Sequence, residues 1–218
     1  MSRGYLLNFL ILVASFTMAG LALGQTCADV HGTTTGCAPS PLAGQTVELT
    51  GIVYVVPGTY NSGSVYFTCD AGGGMTFYDS AATVAEGDRV TVTGIVGAFY
   101  DEIQFASVSS LVVESSGNPF LPSPIGTGDL ADGTPFLGGF LCVQGVLAKI
   151  VDGFNSQYTV DDGTGPAIVY VDGTTGIDTT VLDNYIGDVV SVCGSSKCYD
   201  GQGEILPRRL SDFELVCI

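Results

Sequence analysis

The chain has 218 residues, and its 22 acidic and 6 basic side chains give a formal net charge of −16. Only 13% of the residues are charged, whereas about 25% is usual in globular proteins. Hydrophobic residues make up 46%, which is enough for a core and excludes disorder throughout the chain. The acidic excess argues against nucleic-acid binding, which needs basic residues to neutralise phosphates.

Catalytic and metal-binding groups are scarce in this sequence. A single histidine, His31, excludes a protease motif with two zinc-ligating histidines and argues against a Ser-His-Asp triad. His31 falls in an irregular segment, where we expect it to be exposed. The only adjacent basic pair, Arg208-Arg209, is too small to follow a phosphate backbone. We therefore predict a protein that is not an enzyme and carries no cofactor.

Residues 1–24 have the features of a cleaved secretory signal peptide. Arg3 precedes an apolar run from Leu6 to Met18, and Ala22-Leu23-Gly24 is typical of a cleavage site. A transmembrane anchor is the less favoured alternative, because the run is short for a bilayer span. The sequence predicts an extracellular or cell-surface protein that has no membrane contact after cleavage.

Most of the seven cysteines are expected to form disulfides, because an exported chain meets an oxidising compartment. Their positions predict three local pairs: Cys27 with Cys37, Cys193 with Cys198, and Cys142 with Cys217. Seven is an odd number, so at least one cysteine stays free or bonds to another chain.

After residue 24 the chain consists of short alternating runs separated by glycines, which indicates an all-β fold. Two halves repeat the same pattern: residues 50–53 (TGIV) resemble 144–147 (QGVL), and 86–94 (EGDRVTVTG) resemble 186–194 (IGDVVSVCG). A period of roughly a hundred residues indicates tandem domains rather than a solenoid. We divide the chain into an N-terminal arm (25–43), a first domain (44–114), a linker (115–137) and a second domain (138–218).

The linker contains Pro119, Pro122, Pro124 and Pro135, and proline cannot donate a hydrogen bond inside a sheet. We expect an extended, semi-rigid spacer, with room for one helical turn near residues 128–131. Each domain contains five strand-like runs, and a short helix is predicted after the third, at 81–86 and at 178–185. The core is predicted at apolar positions of equal parity in the first and fourth strands, namely Val47, Leu49, Val90 and Val92, and Leu141, Val143, Val190 and Val192.

This order of elements, together with the repeated motifs, resembles that of secreted bacterial OB-fold modules. The resemblance implies two tandem OB-fold barrels, each a five-stranded Greek-key barrel. Similar modules lie beside nuclease domains in extracellular enzymes and occur as pairs in surface proteins. Secreted tandem OB-fold proteins that polymerise into extracellular fibres are also similar.

Cys69 is predicted to be the unpaired cysteine. Aligning 65–70 with 157–162 places Cys69 at the position of Asp161, which faces outwards if Tyr158 and Val160 face the core. An exposed thiol outside the cell would bond to a neighbouring subunit, and in a head-to-tail contact that bond would lock a filament. A buried free thiol is the alternative.

Aromatic residues cluster on the runs that form the ligand-binding side of an OB barrel. Sugars or bases could stack on them, although neighbouring carboxylates would repel an anionic strand. The predicted ligand face comprises Tyr60, Tyr66, Tyr78, Tyr100, Phe154, Tyr158, Tyr170 and Tyr199.

Asp161 and Asp162 form the densest carboxylate cluster. Calcium binding is a weak alternative here, because the spacing lacks the ligand ladder of a calcium loop and fits a plain β-turn.

The sequence therefore favours a secreted structural protein that assembles with copies of itself into a filament or surface layer. The alternative is an extracellular OB-fold module that binds a carbohydrate or a single-stranded nucleic acid.

Overall fold

The computed structural model describes residues 24–32, 36–70, 72–133, 137–150 and 157–216. The first half contains strands β1 (Thr46–Val55), β2 (Ser64–Cys69), β3 (Gly74–Tyr78), β4 (Arg89–Phe99) and β5 (Glu102–Ser115). The second half contains β6 (Ser123–Pro124), β7 (Phe140–Lys149), β8 (Gln157–Asp161), β9 (Ala167–Tyr170), β10 (Val189–Tyr199), β11 (Gln202–Leu206) and β12 (Phe213–Leu215). The described α-helices are short, namely α1 (Cys27–His31), α2 (Thr127–Ala131) and α3 (Thr179–Asp183).

The first half forms a closed barrel in the order β1-β2-β3-β5-β4. Strand β1 is antiparallel to both β2 and β4, and β3 runs parallel to β5 where Phe77 faces Phe105. Gly51 in β1 allows close contact with β2, because a Cβ atom there would overlap the carbonyl oxygen of Thr68. We call this unit barrel one.

The second half repeats this strand order. Its sheet runs β12-β10-β11-β9-β8-β7-β6, and an additional pairing between β7 and β10 closes five of the strands into a ring. Strands β6 and β12 lie outside the ring, on β7 and β10. We call this unit barrel two. The prediction of an all-β chain is confirmed, and the two sheets are consistent with two barrel-like halves.

Each barrel surrounds its own hydrophobic core, and the predicted core residues lie there. At most 3% of their surface is exposed. Helix α3 forms within the predicted range, whereas the helix predicted at 81–86 is wrong. In that segment the Asp79 and Asp88 side chains accept hydrogen bonds from the amides of Ala81 and Ala85, which holds the backbone in turns.

The described part of the proline-rich segment packs on the barrels rather than spanning free space: Asn118 bonds to the Gly87 carbonyl of barrel one, and the residues from 123 onwards pack on barrel two. Ser123 and Pro124 pair at the edge of β7, outside the ring. Helix α2 inserts Leu130 into the core of barrel two, where it is fully buried. The helical turn expected near residues 128–131 is therefore confirmed, and it belongs to the second unit.

The disulfides differ from the predicted pairs. Cys27 bonds to Cys69, Cys37 to Cys198 and Cys142 to Cys193. The first two bonds fasten the N-terminal arm to barrel one and to barrel two. Cys217 lies outside the described residues. Its predicted bond to Cys142 is nevertheless wrong, because Cys142 is bonded to Cys193.

The strand register explains why the local pairs are wrong. Cys193 and Cys198 both lie on β10, five residues and therefore about 16 Å apart, with side chains on opposite faces. Cys193 instead faces Cys142 directly across the pairing of β10 with β7. Cys27 and Cys37 do not bond to each other because each is bonded to a strand of a different barrel.

The prediction that Cys69 is exposed and links chains is also wrong. Ile52 faces Thr68 in barrel one, and its counterpart Val146 faces Asp161 in barrel two, so Asp161 matches Thr68 rather than Cys69. A shift of one residue moves a side chain to the other face of a strand. Cys69 accordingly faces inwards and is only 9% exposed.

Candidate functional site

The two barrels pack against each other through aromatic side chains. Tyr54, Tyr60 and Tyr66 of barrel one form a buried cluster with Phe140 and Leu206 of barrel two. The Tyr54 hydroxyl donates to the Gly138 carbonyl at 2.7 Å, and the Tyr60 hydroxyl donates to the Leu206 carbonyl at 2.5 Å. The hydroxyls of Tyr54 and Tyr60 are therefore both paired with backbone carbonyls of barrel two, so the rings and their hydroxyls join the two barrels.

Arg208 lies buried in the same interface. Its guanidinium donates to both carboxylate oxygens of Asp212 at 3.0 Å and to the Tyr54 carbonyl at 3.0 Å. It also stacks 4.1 Å from the centroid of the Phe140 ring. The neighbouring Arg209 forms a salt bridge with Glu86. The adjacent arginines are therefore interface residues, a role that their sequence position did not indicate.

The backbones of the two barrels touch at Gly74 and Gly138. A Cβ atom at Gly74 would overlap the Gly138 carbonyl oxygen, so this contact requires glycine. His31 in the N-terminal arm lies 2.8 Å from the Gly74 carbonyl and is buried, contrary to the expectation of an exposed residue. Burial lowers the pKa of His31, so its neutral form donates this hydrogen bond.

A groove of about 500 Å³ opens beside this interface. Its walls come from β3, β5 and the 60–64 turn of barrel one, and from β10 and β11 of barrel two. Three of its tyrosines are largely exposed, Tyr78 at 58%, Tyr100 at 66% and Tyr199 at 45%. The Tyr100 and Tyr199 rings, one from each barrel, have centroids 5.8 Å apart. The groove is therefore an aromatic cleft to which both barrels contribute.

Two tight hairpin turns meet at one end of the groove. Tyr100, Asp101 and Asp200 have φ values of 47°, 67° and 49°, in the left-handed region that non-glycine residues rarely adopt. The Gly201 amide of one turn donates to the Asp101 carboxylate of the other at 3.2 Å. Positive φ values at both central residues are those of a two-residue hairpin turn, which places Tyr100 at the end of the groove.

The groove carries an excess of negative charge. Glu102 and Asp172 line it together with one cation, Lys197, and Glu204 lines an adjoining cavity that shares Asp172, Lys197 and Tyr199 with the groove. Burial raises the pKa of both Glu102 and Glu204, and the nearby Lys197 partly offsets this rise. The Lys197 ammonium lies over the rings of Tyr199 and Tyr170, 5.3 and 6.0 Å from their centroids. Polar groups thus converge inside an aromatic cleft, which is typical of a small-ligand site.

The structure gathers six of the eight residues of the predicted ligand face at this groove and the cavity beside it. Tyr78, Tyr100 and Tyr199 line the groove, the 4% exposed Tyr60 and Tyr66 form part of its floor, and Tyr170 lines the adjoining cavity. Tyr158 is wrongly placed in the prediction, because it is fully buried in the core of barrel two. Phe154 lies outside the described residues. Glu102 is one of the carboxylates that were expected beside the ligand face, whereas the contributions of Glu204 and Lys197 were not predicted.

Asp161 and Asp162 shape a turn instead of presenting free oxygens. Asp161 accepts hydrogen bonds from the amides of Gly163 and Gly165. Asp162 accepts from Thr164 and from both the amide and the hydroxyl of Thr127 at the start of α2. These hydrogen bonds lower the pKa of Asp162. Among the described residues no group of three or more potential metal ligands is found.

No described helix has both the length and the apolar character that crossing a membrane requires. The three disulfides are consistent with a protein stabilised for an oxidising, extracellular environment. No known protein family matches the chain, and neither does any curated protein.

Proposed function

We propose that this chain is a secreted, non-enzymatic binding protein of two OB-type barrels that holds a carbohydrate in the groove between them. The strand order β1-β2-β3-β5-β4 supports an OB-type assignment. OB folds bind oligosaccharides and oligonucleotides on strands two and three and on the loop between strands four and five. The groove lies on that side of barrel one.

The observation that carries the proposal is the exposure of rigidly held rings from both barrels in one cleft. Tyr100 and Tyr199 remain exposed although Tyr60 and Tyr66, in the same cleft, are buried. A sugar ring presents apolar C–H faces that pack on such side chains, and its hydroxyls bond to polar groups beside them. Gln104 and Asn61 line the groove and provide such groups.

Charge favours a glycan over a single-stranded nucleic acid. Three carboxylates and one ammonium line the groove and the adjoining cavity, in a chain whose net charge is −16. Phosphate backbones bind where cations replace their counterions, and this groove offers the opposite charge. A glycan without acidic groups avoids that repulsion.

The test is a glycan array followed by titration calorimetry, comparing the wild type with a Tyr100→Ala/Tyr199→Ala double variant. Loss of two stacking rings is expected to weaken binding at least about tenfold. Leu121→Ala serves as the control, because Leu121 is 84% exposed and is not among the groove residues. Equal affinity of the double variant, or binding of single-stranded DNA in place of any glycan, would contradict the proposal.

A filament subunit is the second candidate function. Six of the seven cysteines pair within the chain, which leaves Cys217 without a partner in this sequence. A cysteine left over in an exported protein favours a bond between chains. The two barrels packed against each other would form the repeating unit of such a filament.

Electron microscopy and a non-reducing gel of the native secretion test this second function. We expect ordered polymers and a ladder of covalent multimers, which a Cys217→Ser variant and a reducing gel both remove. Monomers on the non-reducing gel, together with an absence of ordered polymers, would reject the filament.

A further inference from the structure

We propose that the groove selects a carbohydrate with a free amino group, whose ammonium binds the Glu102 carboxylate between the aromatic walls. This inference rests on the proposed glycan-binding function and names its ligand class. It predicts a preference that neither the aromatic rings nor the sugar hydroxyls would produce.

Glu102 is the first reason for this inference. Its Oε1 atom is buried and has no hydrogen-bond partner among the described residues. Buried polar atoms without a partner are rare in folded proteins because desolvation is costly. Since Glu102 lines the groove, a donor on a bound ligand can complete its hydrogen bonding once the carboxylate turns towards the ligand.

The remaining charges of the groove leave this site anionic. Lys197 faces Glu204 directly across the pairing of β10 with β11, and Asp172 lines the groove near both. The three carboxylates of Glu102, Asp172 and Glu204 are therefore balanced by a single ammonium. A cationic ligand reduces this imbalance, whereas a neutral ligand leaves it unchanged.

The aromatic walls suit a cation as well as a sugar face. The Lys197 ammonium already lies over the Tyr199 and Tyr170 rings at distances typical of cation–π contacts. On the other wall, Tyr78 and Tyr100 present exposed rings close to Glu102 in the same groove. An ammonium between them would gain both a carboxylate and ring faces.

Two probes separate charge from shape: a β-1,4-linked tetramer of glucosamine and its fully N-acetylated counterpart. By titration calorimetry at pH 6 the wild type is expected to bind the free-amine tetramer at least about tenfold more tightly. Glu102→Gln should weaken binding of the free-amine tetramer far more than binding of the N-acetylated tetramer, and so remove the preference. Glu48→Gln removes the same charge from an exposed position on β1 and should change neither affinity.

Lys197→Gln is expected to change the affinity for the free-amine tetramer in the opposite direction to Glu102→Gln. Removal of the resident ammonium should strengthen binding of the free-amine tetramer several-fold. This second variant keeps the inference testable if Glu102→Gln disturbs folding, which circular dichroism would reveal.

The outcomes distinguish this inference from the function on which it rests. Equal affinity for both tetramers, or an equal loss of both in Glu102→Gln, overturns the amino-sugar preference and leaves glycan binding intact. Binding of other glycans on the array but of neither tetramer has the same meaning. If no glycan binds at all, the proposed function fails with it.

Discussion

Replacement of Arg208 by alanine is expected to lower the free energy of unfolding by about 3–5 kcal/mol, because it leaves a buried carboxylate without its partner. The side chains of Arg208 and Asp212 are only 6% and 7% exposed. The substitution also removes the hydrogen bond to the Tyr54 carbonyl and the stacking on Phe140, which together join the barrels. Urea denaturation of the wild type and the variant measures the loss.

Arg209→Ala is the matched control, since it removes the same side chain one residue away. Its salt bridge with Glu86 is at the surface, with the Arg209 side chain 47% exposed, so we expect a loss below about 1 kcal/mol. Arg208→Lys should retain part of the stability, because lysine keeps the positive charge but cannot form the bidentate hydrogen bonds to the Asp212 carboxylate. If Arg208→Ala and Arg209→Ala destabilise equally, Arg208 does not stabilise the interface as described.

The barrels were predictable because their cores depend on local periodicity. Val90 and Val92 alternate with polar residues, and Val190 and Val192 do the same in the second repeat, so one face of each strand had to be buried. Gly51 and Gly145 occupy equivalent positions in the repeat, and the structure shows that both lie where neighbouring strands approach closely. These features are visible within a few residues of sequence.

The interface between the barrels was not predictable in the same way. Tyr60 and Tyr78 both come from the predicted ligand face, yet one is 4% and the other 58% exposed. Which of them is covered depends on where the second barrel lies, and that is set by contacts such as Gly74 with Gly138. No local pattern in the sequence encodes a contact between residues this far apart in the chain.

The candidate groove was only partly predictable for the same reason. Its tyrosines were predicted from their residue type and their position in the repeat, whereas nothing in the sequence placed Lys197 beside Glu102. Only the packing of two hairpins against each other brings the Glu102 carboxylate and the Lys197 ammonium into one cleft. The prediction for Cys69 was wrong for a related reason. The sequence alignment of the two halves was one residue out of register at this strand, and a shift of one residue places a side chain on the opposite face.

Removal of the disulfide between Cys37 and Cys198 is expected to cost about 2–5 kcal/mol of stability and to loosen the N-terminal arm. This bond joins residues 161 positions apart, and with the bond of Cys27 to Cys69 it fastens the arm to both barrels. Cys198 also lines the groove, next to Tyr199. We therefore expect weaker glycan binding in a Cys37→Ser/Cys198→Ser double variant, which avoids leaving a lone thiol.

The matched control is the Cys142→Ser/Cys193→Ser variant, which removes a disulfide within barrel two. That bond joins facing residues of β7 and β10 and does not reach the arm. Urea denaturation should show a loss of stability in both variants, because each disulfide restricts the unfolded chain. Hydrogen–deuterium exchange separates them: amides of 24–32 and of the 199–202 turn should exchange faster only without the Cys37–Cys198 bond. Equal exchange of the arm in both variants would mean that hydrogen bonds such as that between His31 and Gly74 hold it in place without the disulfide.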